Sequence, residues 1–385
     1  MTPAARVQAS IEILDDILAG APAEKALTGW GRRSRYAGSK DRAAVRDHVF
    51  AALRCQRSYT VLGGSQTGRG LMIGAQRATG TDLDVVFTGD RHAPATVSGD
   101  EEGRDFAGDA EQYDIPEWLW PRFQMSLGDQ AIPVAQALQN RAPVHLRVNL
   151  IKTDIAGAIA ALETDGIQAQ AHPACDTALE VSEGARKIAQ SSAYANGLVE
   201  LQDAASQAVV AALELHPGLR VLDYCAGGGG KSLALAAHPG VEVFAHDVNA
   251  ARLRDLPVRA GRAGAKVTVL TTDEATRQPP FDVVLVDAPC SGSGSWRRAP
   301  AGKWALTETR LQELTTIQFN ILNQLSPLVA PGGALAYATC SMLADENGAV
   351  VDAFLHSNTD WRESFRKTWL VSHGTDGFFT AHLTR

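Results

Sequence analysis

"VLDYCAGGGGKSL", residues 221–233, decides the fold: an apolar run is followed at once by four glycines, a lysine and a serine. Such a stretch opens either a P-loop, whose backbone N–H groups wrap nucleotide phosphates, or the glycine turn of a Rossmann-like cofactor fold. A P-loop has the spacing G-x-x-x-x-G-K-[ST]. Counting back from Gly230, Lys231 and Ser232 puts its first glycine at 225, where this chain has Cys225. The run "VVLVD", ending at Asp287, has the form of a second P-loop strand, but a P-loop leaves Asp247 without a role. Asp247 ends the next apolar run, 17 residues after Gly230, and a carboxylate at that place accepts hydrogen bonds from ribose hydroxyls. The cofactor turn explains both features.

Outward from this stretch the rhythm is α/β. "LRVLDYCA", "VEVFAHD", "KVTVLTTD", "FDVVLVDA" and "GALAYATCS" are apolar runs of strand length with helical segments between them, the pattern of strands buried on both faces. In the helical segment 307–328, Leu311, Leu314, Ile317, Ile321 and Leu325 share a face before "PGG" stops it. Alternation of this kind predicts a doubly wound parallel sheet with ligands outside the carboxyl ends of its strands. Asp247, Asp273, Asp287 and Cys340 all fall at or near such ends. Asp273 is placed to meet an adenine edge, and Asp287 opens "DAPCSGSG", which resembles the substrate loop of a methyltransferase. "DGFFTAHLTR" (376–385) alternates like a strand and is expected to run antiparallel beside the last parallel strand.

The remainder of the 385 residues leaves room for further domains. In the first 60 residues Val7, Ile11, Leu14 and Leu18 share one helical face, and Ser39 is expected to cap a second helix burying Val45, Val49, Phe50 and Leu53. Residues 62–114 are rich in Gly, Asp and Thr and predict a long irregular connection. "VHLRVNLIKTDIAGAIAALETDGIQAQ" predicts strand, helix and strand in a small α+β module. The expected organisation is thus a helical region at 1–140, an α+β module at 141–200 and the parallel-sheet domain at 201–385. No apolar run reaches membrane-span length, the N-terminus lacks a signal-peptide pattern, and five scattered cysteines make neither a disulfide framework nor zinc-type pairs. A cytoplasmic protein, monomeric and without a metal site or membrane partner, is expected. The net charge of −7 hides an asymmetry: residues 24–57 hold nine Lys/Arg against three acids, and residues 82–114 ten acids against two Arg. A local basic face can hold a phosphate backbone despite the overall sign; a solvated helix face is the alternative.

Taken together, "LRVN" (146–149), "LQDAAS" (201–206), the glycine loop, Asp247, "DAPCSGSG" (287–294), "YATCS" (337–341) and "DGFFTAHL" (376–383) resemble the RsmB-like, NOL/NOP/SUN-type RNA cytosine-5 methyltransferases. The resemblance covers residues 143–385 well and the N-terminal part loosely, where "SKDRAAVRDHVFAALR" is similar to a helical RNA-binding extension. It implies a Rossmann-like class I S-adenosylmethionine-dependent methyltransferase domain, with RNA as partner, ribosomal or else transfer RNA. The cofactor would be held by Cys225, Ala226, Gly227, Gly228, Gly229, Gly230, Lys231, Asp247, Asp273 and Asp287. The family usually shows C-A-A-P-G-G-K-T at the glycine loop; here glycine stands at 228 where proline is usual.

The chemistry of such an enzyme explains why two cysteines recur. Carbon 5 of cytosine is a poor nucleophile, so a thiolate must first add to carbon 6, dividing one hard step into two. The resemblance makes Cys340 the nucleophile and Cys290 the residue that assists product release. Asp287 would hold the N3 side of the ring, and Lys231 would help position the base. Cys55 and Cys175 read as small core residues and Cys225 as packing beside the cofactor. Three other readings stay open: an RNA-binding or ribosome-assembly factor on the same fold, a P-loop NTPase, and an enzyme using Cys290 as nucleophile in the manner of DNA cytosine-5 methyltransferases. Finally, "GSWRRAPAGKW" (294–304) joins three cations to two tryptophans; it suits RNA contacts, or equally a solvated loop with one core tryptophan.

Overall fold

A computed structural model describes residues 1–385, which form two compact units. One comprises Met1–Arg141 with Trp296–Ala305; the other comprises Ala142–Ser295 with Leu306–Arg385.

The first unit is helical. Its leading helices are α1 (Pro3–Leu18), α2 (Ala23–Arg33), α3 (Ser39–Arg54), α4 (Gln56–Gly63) and α5 (Gly68–Ala78). Val7, Ile11 and Leu14 face the core with Val45, Val49 and Leu53, as the spacing predicts. Helix α2 lies between the two expected helices and adds Leu27 and Trp30 to that core. Ser39 is the first residue of α3 rather than its cap; Gly38 is the N-cap, and its N–H donates to the Asp41 carboxylate at 3.3 Å. The stretch 62–114 is irregular only in part, because α5 runs through it. The glycines that suggested a loop instead let α4 and α5 approach closely: a Cβ on Gly74 would lie 2.0 Å from the Tyr59 carbonyl oxygen.

Segment 296–305 completes this unit. Trp296 and Lys303 are 2 % and 1 % exposed, the Lys303 Nζ donates to the Arg54 carbonyl at 2.8 Å, and the Trp304 Nε1 donates to the Leu53 carbonyl at 2.7 Å. "GSWRRAPAGKW" is therefore largely packed into the helical core and is not the solvated loop its cations suggested. Burial drives the Lys303 pKa down to about 8, against the pull of buried Asp114.

The second unit contains both sheets. β1 (Val144–Val148), β2 (Gln168–Ala171), β3 (Ala178–Glu183) and β4 (Val199–Leu201) form an antiparallel sheet in the order β2-β3-β1-β4. Helix Ile155–Thr164 contributes buried Ala158 and Leu162 to its core. The larger sheet holds β5 (Arg220–Asp223), β6 (Glu242–Ala245), β7 (Thr268–Val269), β8 (Phe281–Asp287), β9 (Val329–Thr339), β10 (Arg362–Trp369) and β11 (Phe378–Thr384), in the order β10-β11-β9-β8-β5-β6-β7. β5 to β9 are parallel neighbours; β11 runs antiparallel to β9, as expected of the tail, and β10 lies outside it. The α+β stretch shares a compact unit with this sheet because the two share a core. Cys175 and Ala178 pack in one cluster with Val209, Val221, Leu285 and Phe378.

Strand order reverses at β5, which has β6 on one side and β8 on the other. In open α/β sheets that switch point leaves a crevice at the carboxyl ends of the two strands. Here the glycine turn leaves β5, and the loop of Cys290 leaves β8.

Candidate active site

The crevice has a volume of about 750 Å³ and is lined by Tyr224 to Gly228, Gly230, Lys231, Asp247, Asp287 to Cys290 and Cys340, among others. It lies within the usual range for a small-molecule site, ~300–1,000 Å³.

The turn after β5 places its backbone by side-chain restraints. Gly227 and Gly229 have φ of +55° and +80°, a region that favours glycine. Gly228 has no such φ, and a Cβ there would meet the Arg259 guanidinium at 3.3 Å. That guanidinium donates to the Gly228 carbonyl and, at 2.8 Å, to buried Glu200. Arg259 thus supplies a restraint on a turn that lacks the usual proline. Gly230 opens helix Gly230–Leu235, and its carbonyl accepts from buried Arg147 at 2.6 Å, while Arg147 also donates to Gln202 at 2.6 Å. Burial brings the Arg147 pKa down to about 10.

Asp247 is 6 % exposed and lines the crevice from the end of β6. One oxygen accepts from the Gly227 N–H at 2.9 Å and the other from the Asn249 N–H at 2.9 Å; Arg252 pairs with it at 3.1 Å. The next residue, Val248, is 90 % exposed and also lines the crevice. Asp273, expected to meet an adenine edge, is not among the residues that line the crevice. Its side chain is 82 % exposed in the first turn of helix Thr272–Arg277 and pairs with Arg277 at 3.7 Å. The helix starts at the strand end, and its capping box turns Thr271 and Glu274 toward the chain while Asp273 faces solvent.

At the floor, Lys231 is 6 % exposed and its Nζ lies 2.7 Å from the Asp287 carboxylate and 4.9 Å from the Phe378 ring centroid. Burial works against the charged ammonium, but Asp287, Asp223 and Cys340 together raise its pKa above the ordinary value. Asp223 is wholly buried; burial, reinforced by the nearby Asp287 charge, raises its pKa to about 7, while the Ser232 hydroxyl donates to it at 2.6 Å.

The two cysteines meet across β8 and β9. Asp287 pairs in register with Ala338, which carries the following loops out of the sheet side by side. The Gly294 N–H donates to the Cys340 carbonyl at 3.0 Å, and the Met342 N–H donates to the Ser293 hydroxyl at 2.7 Å. The Cys290 and Cys340 sulfurs lie 3.4 Å apart. The contact with Cys340 and burial hold the Cys290 pKa well above the usual thiol range. Cys225 lines the crevice with its pKa also raised, by burial, whereas Cys55 is buried in the helical unit with its pKa pushed up to about 12.

Sequence reasoning missed several residues here: Gln202, Arg147, Arg252, Val248 and Glu346. "LRVN", "LQDAAS" and "DGFF" were recognisable strings, and the structure shows what they do. Arg147 and Gln202 hold Gly230, and the Asp376 N–H donates to the Asp203 carboxylate at 3.1 Å, joining the tail to the start of helix Ala204–Ala211. The histidines are also less scattered than they looked: His145 and His172 lie 4.8 Å apart between ring centroids, with Glu180 close by. The His172 Nδ1 accepts from the Ala174 N–H at 3.2 Å, so its neutral ring carries the proton on Nε2 and offers no lone pair there for a metal.

A switch-point crevice with a glycine turn, an acid ending the second strand and an antiparallel strand beside the parallel set is the architecture of the Rossmann-like class I methyltransferase fold. Among known proteins, the family model described as 16S rRNA methyltransferase RsmB/F matches residues 210–384, and the ferredoxin-like domain of RsmF/B-like methyltransferases matches residues 115–186. The chain is 36% identical over 262 residues to the ribosomal RNA small subunit methyltransferase B of Salmonella arizonae, covering 66% of this chain and 61% of that one. It is 33% identical over 289 residues to the protein of the same name from Erwinia tasmaniensis, covering 71% and 67%. The crystal structure of PH0851 shares the fold, with a TM-score of 0.78 at 23% identity, over 100% of this chain and 99% of that one. The chain belongs to the RsmB/RsmF methyltransferase family, and its matches span about three fifths to two thirds of the length of these two curated relatives.

Proposed function

We propose that the protein methylates carbon 5 of a cytosine in RNA, ribosomal RNA foremost, through a covalent adduct on Cys340. The observation that carries this reading is the 3.4 Å approach of the Cys290 and Cys340 sulfurs at the mouth of a cofactor crevice. S-adenosylmethionine, when bound, supplies an electrophilic methyl group. The glycine turn and Asp247 fit its ribose and backbone, and exposed Val248 offers an apolar surface for its adenine. Cys340, as thiolate, adds to carbon 6 of the ring, which leaves an electron pair at carbon 5 to take the methyl. Removal of the carbon 5 proton then re-forms the double bond and expels the thiolate. The contact with Cys340 and burial keep Cys290 protonated before the reaction, which leaves the opening attack to Cys340. Once Cys340 is bonded to carbon 6 that contact is lost, and Cys290, after giving up its own proton, is the group beside the adduct that can take the carbon 5 proton. Asp287, fixed by Lys231, is placed to meet the polar edge of the base.

The helical unit supports RNA as the partner. A cleft of about 600 Å³ is lined by Arg32, Arg35, Arg42 and Arg46 beside Trp30. Tyr36, which follows Arg35 in the chain, is 75 % exposed, and these cations stand in an otherwise acidic chain. Exposed arginines with an aromatic ring suit phosphates and an unstacked base.

The two cysteine variants test the reading. Cys340→Ala is expected to form no adduct and transfer no methyl. Cys290→Ala is expected to accumulate a protein–RNA species that survives a denaturing gel, because a thioether does not dissociate on unfolding. The covalent species in Cys340→Ala alone would reverse the two roles. Absence of methylation by the wild type across ribosomal and transfer RNA, with cofactor binding verified, would favour a non-catalytic RNA-binding factor.

A further inference from the structure

Glu346 is 0 % exposed, in the short turn Ala344–Glu346 that follows Cys340. One carboxylate oxygen accepts from the Ser291 N–H at 2.7 Å and the Gln318 side-chain amide at 3.1 Å. The other accepts from the Ser291 and Ser341 hydroxyls, both at 2.5 Å. Ser291 follows Cys290 in the chain, and Ser341 follows Cys340. A single carboxylate therefore grips the residue next to each cysteine. All four donors are neutral, so this charge is buried on hydrogen bonds alone, a costly arrangement unless every bond is kept.

The carboxylate is itself held in place. The Tyr337 hydroxyl donates to the Glu346 carbonyl at 2.6 Å. Asn347 accepts from the Thr339 hydroxyl at 2.5 Å and donates to the Ser341 carbonyl at 2.9 Å. These bonds matter because β8 and β9 stop pairing at Asp287 and Ala338, short of both sulfurs. Beyond that pair the β8–β9 ladder ends. β11 holds β9 one residue further, Phe379 against Thr339, and the Gly294–Cys340 and Met342–Ser293 bonds link the loops, but none of these reaches the Cys290 side chain.

We propose that Glu346 is the positioning residue of the two-cysteine site, spanning the loops after β8 and β9 so that the Cys290 and Cys340 sulfurs stand within reach of one another. The proposal rests on the two-thiol reading of the site given above. Glutamate is required for its reach and its two acceptor atoms. Glutamine has the same reach, and the two serine hydroxyls can turn from donating to accepting. Aspartate keeps the charge but is one methylene too short to grip both loops.

The test measures thiol separation without RNA or cofactor. Diamide takes two hydrogens from a close thiol pair, forming a disulfide as the azo group is reduced to a hydrazine; peptide mapping then reads the Cys290–Cys340 bond. Glu346→Asp is expected to form it about tenfold more slowly than wild type and to lose roughly 100-fold in RNA methylation turnover, since small misplacement is costly to reacting groups. Its affinity for S-adenosylhomocysteine should be unchanged. Glu346→Gln is expected to restore most of the cross-linking rate and of the turnover. If Glu346→Asp proves unfolded by its melting curve, the Ser291→Ala, Ser341→Ala double variant removes two of the four bonds and should slow cross-linking in the same way. Wild-type cross-linking in folded Glu346→Asp, or in the folded double variant, overturns the proposal. Because diamide needs no substrate, that result is distinct from failure of the cytosine-5 reading, which shows in the adduct gels.

Discussion

In the sheet unit the charged groups around the crevice are sunk and tied to one another: Lys231 to Asp287, Asp223 to Ser232, Asp247 to two backbone N–H groups and Arg252. In the helical unit, Arg32, Arg35 and Arg42 stand exposed around a cleft beside Trp30. The contrast follows from what each surface is proposed to do. Groups that act on reacting atoms must be fixed before the substrate arrives, and burial with full hydrogen bonding does that. Cations that meet a polyanion do not need fixing; they bind by displacing counterions, each contributing modestly and reversibly.

Perturbations should therefore be severe at the crevice and shallow at the arginine face. The largest effect is expected from deleting 376–385. This removes β11 from between β9 and β10, along with buried Phe379 and Leu383 and the Phe378 ring under Lys231. Circular dichroism should show the sheet unit unfolded, and the milder Phe379→Ala should cost about 3–5 kcal/mol in a denaturant melt. Next comes Asp247→Ala, which removes both the proposed ribose acceptor and the pin on the Gly227 and Asn249 N–H groups. S-adenosylhomocysteine binding by calorimetry should weaken by about 2–3 kcal/mol. Unchanged affinity would show that the ribose lies elsewhere.

Asp223 gives a pH signature. Its folded pKa, about 7, exceeds the ordinary 3.8, so between those values the folded chain holds a proton that the unfolded chain has released. Stability is then fully present below the lower value and is lost as pH rises through the upper. Asp223→Asn cannot ionise. Its melting temperature, compared with wild type from pH 5 to 8, should gain on the wild type by the equivalent of about 2 kcal/mol; parallel curves would place the ionisation elsewhere. The smallest effects belong to the arginines. Arg32→Ala, Arg35→Ala and Arg42→Ala should each lower the slope of log affinity against log salt for RNA by about 1, leaving cofactor binding untouched. A loss confined to one RNA sequence, with the slope unchanged, would make this face a base reader.

The same contrast explains what the sequence disclosed. Strands buried on both faces leave continuous apolar runs, so β5, β6, β8 and β9 were legible, and the residues at their ends came with them. Cys290, Cys340, Asp247, Lys231 and the turn glycines do meet in one crevice. Helix α5 was hidden because its glycines serve close packing against α4, a need set by a distant neighbour. Asp273 shows that a strand-end acid is equally at home in a helix's first turn, a placement the sequence pattern does not distinguish. Glu346 was invisible for the opposite reason: its meaning lies in three partner residues, Ser291, Gln318 and Ser341, of which the farthest is 55 residues away. Lys303 looked like a surface residue by type, and only its burial at 1 % exposure shows otherwise, while Trp296, at 2 %, is a core tryptophan of the kind one reading allowed.

That last segment has a consequence for the order in which the molecule is made. The chain crosses between its compact units three times, at 141, 295 and 305. Domains usually fold as they leave the ribosome, the N-terminal one first. Here the helical unit emerges early but lacks Trp296, Lys303 and Trp304 until the whole stretch carrying the glycine turn and Cys290 has been synthesised. During that interval the Leu53 and Arg54 carbonyls await their donors, and the helical unit is completed only after most of the sheet unit that follows it has been made.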